Sequence, residues 1–89
     1  MAFSSQFESD YIRKFAGIVR SGVSHCGWKE WTQRIQDALS GIVDSKTRNE
    51  AQARFILIRN YAPILKEEGR GILVADELEK FADFVNKIK

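Results

Sequence analysis

Apolar residues recur at spacings of three and four along almost the whole chain, and this period restricts the fold more than any other feature. In the first stretch Phe7, Tyr11, Phe15, Ile18 and Gly22 step in this way, with Ile12, Val19 and Val23 beside them. An α-helix turns about 100° per residue, so residues at these spacings collect on one broad face. A second stretch places Trp28, Trp31, Ile35, Ala38, Leu39 and Ile42 on one side. A third runs Ala51, Phe55, Ile58, Ala62 and Leu65, and Leu57, Tyr61 and Ile64 are expected to widen its apolar face to nearly half the helix. The fourth repeats the pattern with Val74, Leu78, Phe81, Val85 and Ile88. No stretch alternates with period two between turn residues, as a half-buried strand does. The expectation is an all-α chain, a single helical domain over residues 1–89, folded as a compact antiparallel bundle of about four helices.

Punctuation agrees with that division. Ser5 before Glu8, and Thr47 before Glu50, have the spacing of a capping box. Asp10–Lys14 and Glu30–Arg34 are candidate pairs one turn apart. The first helix is expected to start near Ser5 and fade between Gly22 and Gly27, and the second to stop between Gly41 and Val43. Gly69-Arg70-Gly71 forms the turn before the fourth. Pro63 lacks an amide hydrogen and its ring crowds the preceding turn, so the third helix should kink near that residue.

Size and composition bound the rest. Eighty-nine residues leave little room for a second core, and 44 % hydrophobic with 29 % charged residues is ordinary globular usage. One cysteine cannot form an internal disulfide. The opening MAFSSQFESD lacks the basic and apolar regions of a signal peptide, and the longest apolar run, Phe55 to Ile58, is far short of a membrane span. A soluble, cytoplasmic protein with no membrane partner is therefore expected.

The stretch SGVSHCGWKEW holds the only histidine and the only cysteine, His25 and Cys26, as neighbours. A thiol nucleophile needs a base within hydrogen-bond reach, but adjacent side chains diverge in helix and strand alike. One His and one Cys cannot close a tetrahedral zinc site. Asp76, Glu77, Glu79 and Asp83 lack the glycine and spacing of a calcium loop. Gly69-Arg70-Gly71 has neither the Lys-Ser nor the preceding strand of a phosphate cradle. No catalytic residue, metal or cofactor is expected, and the chain reads as non-enzymatic.

Binding surfaces are the remaining candidates. Residues 46–62 carry a net charge of +3 and residues 76–83 a net −3, which suggests attraction between the third and fourth helices or across a dimer. On a helical wheel Arg48, Arg59 and Lys66 fall within about 40° of Phe55. Such a stripe either covers apolar surface with its aliphatic stems or tracks nucleic-acid phosphates, with Arg13 and Arg20 extending it. The second candidate surface is His25, Trp28 and Arg34, beside a turn of small residues, because interfaces favour aromatic and arginine side chains at their centres. Ten aromatic residues in so short a chain also argue for self-association, most simply as a homodimer. The leading expectation is a helical inhibitor or adaptor that binds another protein. The alternative is an RNA- or DNA-binding dimer.

Overall fold

The computed structural model describes residues 3–21, 27–60 and 71–88. It contains four helices, α1 (Ser5–Arg20), α2 (Trp28–Leu39), α3 (Ser45–Arg59) and α4 (Gly71–Asn86), and no strand among the described residues. The all-α reading holds. The kink expected near Pro63, and the apolar positions Tyr61, Ala62, Ile64 and Leu65, lie outside the described residues.

The starts of α1, α2 and α3 have local causes. Ser4 is extended and its hydroxyl accepts from the Phe7 amide at 3.4 Å, so the cap of α1 lies one residue before Ser5. Glu8 completes no capping box; its side chain is buried and paired with Arg34. At α3 the cap is Asp44, which accepts from both the amide (2.9 Å) and the hydroxyl (2.6 Å) of Thr47. Glu50, expected to cap with Thr47, instead pairs with Arg54 at 3.0 Å. Gly27 precedes α2 with φ 80°, a left-handed conformation that L side chains adopt at a cost. The end of α2 tightens through successive three-residue bonds, Ser40 to Asp37, Gly41 to Ala38 and Ile42 to Leu39. That tightening returns Ile42 to the core.

The closest packing joins the first and last helices. Ser9 meets Asn86 at 3.3 Å, Arg13 meets Asp83 at 2.6 Å and Arg20 meets Asp76 at 2.8 Å, an ordered antiparallel pairing. Buried Ser9 and Ala16 on α1, with Ala75 and Ala82 on α4, keep the backbones close. At the far end a Cβ on Gly71 would stand 3.1 Å from the Val19 carbonyl, so glycine suits that contact. Helix α3 runs antiparallel to α4, with Phe55 against Phe81 (5.4 Å) and Arg54 over Phe84 (4.4 Å). Helix α2 meets α1 through large rings: Phe15 lies between Trp28 (5.3 Å) and Trp31 (5.2 Å), and Trp31 reaches Tyr11 (4.7 Å). The core is built around Ile12, Phe15, Ile35, Leu39, Phe55, Leu78 and Val85.

Three expectations are corrected by this packing. Phe7 belongs to the apolar pattern of α1 but is 57 % exposed, because the α2 residue facing it is Arg34. Leu57 is 63 % exposed: two residues place it about 200° around the helix from Phe55, and the buried face of α3 is only Ala51, Phe55 and Ile58. The acidic residues of α4 do not face the cations of α3. Asp76 and Glu79 hold Arg20, and Asp83 holds Arg13, because α1 is the helix packed closest to them. The local pairs shift too: Asp10 lies 3.7 Å from Arg13 rather than pairing with Lys14, and Arg34 turns from Glu30 to Glu8.

Candidate interaction surfaces

The first turn of α1 and the last turn of α2 stand apart at one end of the body. Between them lies an open groove of about 730 Å³, lined by Phe3, Ser4, Phe7, Glu8, Arg34, Asp37, Ala38, Ser40 and Gly41. Its charged element is built from two helices. Glu8 is only 8 % exposed at its side chain, and a carboxylate that deep requires a partner. Arg34 supplies it by donating from Nη1 to Glu8 Oε2, while its guanidinium lies over Tyr11 at 4.1 Å and near Phe7 at 5.6 Å. The Glu8 hydrogen bond holds the Arg34 pKa above its ordinary value, against the opposing effect of burial.

A second, shallower recess of about 500 Å³ lies between the start of α3 and the end of α4, among Asp44, Thr47, Glu50, Phe84, Lys87 and Ile88. A third apolar region lies toward the end where α3 finishes and α4 begins. There Ile56 (45 %), Leu57 (63 %), Ile72 (50 %) and Leu73 (54 %) are exposed.

The residues singled out from sequence are distributed as follows. His25, Cys26 and Lys66 lie outside the described residues. Trp28 is half-buried against Phe15. Arg34 is six residues further along α2, about 120° around it, so the two do not share a face. Arg48 donates to the Ile42 carbonyl at 3.1 Å, and Arg59 to the side-chain oxygen of Gln36. Arg13 and Arg20, which were to extend a phosphate-tracking stripe, are bound by carboxylates of α4, and the Asp76 hydrogen bond raises the Arg20 pKa.

Among the described residues no three His, Cys, Asp or Glu side chains converge as a metal site would require. No helix among them is long and apolar enough to cross a membrane.

Sequence reasoning missed Phe3 and Val43. Val43 carried no periodic signal, because it falls in the turn between α2 and α3. Phe3 carried none, because it precedes the helix and takes part in no periodic pattern. In comparisons with protein-family models, curated proteins and solved structures, the chain matches none of them.

Proposed function

We propose that this chain is a non-enzymatic helical interaction protein, self-associating, that docks on another protein as an inhibitor or adaptor. The observation that carries the reading is apolar surface left open toward both ends. Phe7 and Val43 lie at one end, and Ile56, Leu57, Ile72 and Leu73 toward the other, all between 45 % and 94 % exposed. Where such side chains join into one patch, apolar surface on a small domain marks an interaction site. The α3–α4 region is assigned to the protein partner.

The test is capture from cells that make the protein, with and without nuclease treatment, using wild type and the variants Leu57→Glu and Leu73→Glu. A protein retained by wild type and lost with either variant supports the reading. Retention that vanishes on nuclease treatment, ignores both variants and weakens steeply with salt refutes it in favour of the nucleic-acid alternative, since each neutralised phosphate releases counterions.

A further inference from the structure

Val43 is the most exposed large apolar side chain among the described residues, at 94 %. It stands between buried Ile42 and the capping Asp44, at the position just before a helix cap. A residue there often packs on the fourth helical residue. Here that residue is Arg48, which turns back to the Ile42 carbonyl instead. Local structure therefore gives Val43 no cover.

The groove of Phe3, Phe7 and Arg34 lies at the same end of the body, and its lining ends at Gly41, two residues before Val43. A knob and a hole at one end of the body suit a two-fold contact, since each copy then offers both. Charge is complementary as well. Glu8 and Asp37 in the groove outnumber Arg34, while the segment after Val43 has Lys46 and Arg48 against Asp44. Lys46 is exposed, and no ion pair among the described residues involves it.

We propose that two copies associate about a two-fold axis, Val43 of each entering the Phe3–Phe7 groove of the other, with Lys46 beside Asp37. The proposal rests on the interaction-protein reading and gives its self-association a surface. A standard contact takes about 800 Å² from each partner, roughly a seventh of the 5748 Å² surface of this chain. The contact accordingly spans the face from Phe3 and Phe7 across Arg34 to Lys46, and leaves the Leu57 and Leu73 region open.

Sedimentation velocity across the micromolar range tests it, with circular dichroism confirming that each variant is folded. Val43→Glu puts a carboxylate against Glu8 and Asp37, and a negative charge just before a helix suits its dipole, so the fold is kept. Val43→Glu and Phe7→Ser are each expected to weaken the dimer at least tenfold, and Leu57→Glu to leave it unchanged. Lys46→Glu and Asp37→Lys should each weaken it, and together restore it. A wild-type dimer that Val43→Glu and Phe7→Ser leave intact overturns this surface but not self-association. Wild type that is monomeric throughout overturns both.

Discussion

Replacing Phe15 with alanine tests the architecture at its most demanding point. The ring is fully buried, stacked within 6° of parallel on Trp31 and tilted against Trp28, so it joins α1 to both indoles of α2. Deleting a buried phenyl group removes its transfer free energy and leaves a cavity, together about 3–5 kcal/mol. Helix α2 stands off from α1 and meets it through large rings, so little backbone is poised to fill the space, and the upper half of that range is expected. A chain of this length has a total stability on the order of 5–13 kcal/mol, so a large share is lost. Each kcal/mol shifts the melting temperature of such a domain by about 4–8 °C; a fall of at least ~16 °C should follow. Thermal melts by circular dichroism read the stability. Tryptophan emission reads the site, because both indoles lose the same neighbour and should shift to the red together. Phe15→Leu, which keeps most of the volume, should fall between wild type and alanine. A loss below about 1 kcal/mol with unshifted emission would refute the placement of Phe15 between the two rings.

Other perturbations follow from single contacts. Arg34→Ala should destabilise more than Glu8→Gln, by about 1–2 kcal/mol, since it strands a buried carboxylate; the value is held low because Arg34 is about a third exposed, and urea melts would show a reversed order if Glu8 were in fact solvated. Thr47 hydrogen bonds hold the Asp44 pKa below its ordinary 3.8. The stability from that cap is therefore complete above pH 3.8 and lost as pH falls through the depressed value. Asp44→Asn should flatten this part of the acid-stability profile, and an unchanged profile would rule the cap out as its source. Gly27→Ala forces a side chain into the left-handed region and should cost about 1–2 kcal/mol by chemical denaturation. Both indoles pack on Phe15, so acrylamide should quench Trp28 and Trp31 as one class; two classes would mean that one of them is exposed.

What the sequence could reveal divides along a physical line. Helix positions were legible because periodicity is local: Ile12, Phe15, Ile35, Leu39, Phe55, Leu78 and Val85 all stand on the faces their spacing assigns, and all are buried. The partner of each charge was not legible. Arg20 is 56 residues from Asp76 and Arg34 is 26 from Glu8, and both choices depend on which helices pack closest. The wheel of α3 placed Arg48 and Arg59 correctly at the edge of its apolar face, but it could not show that a carbonyl and an amide oxygen wait there to receive them. The candidate groove was illegible for a similar reason. Its walls come from the start of one helix, the end of another and a phenylalanine outside any periodic pattern.

The pairing of α1 with α4 also sets an order of events during synthesis. Residues 5–20 are synthesised well before residues 71–86, the surface they pack on most closely. Until then Ile12, Ala16 and Val19 lack their α4 neighbours, and closing so long an intervening chain costs entropy before any contact repays it. Helix α1 is thus made well before its main packing partner, and its packing is completed only after α4 has been synthesised.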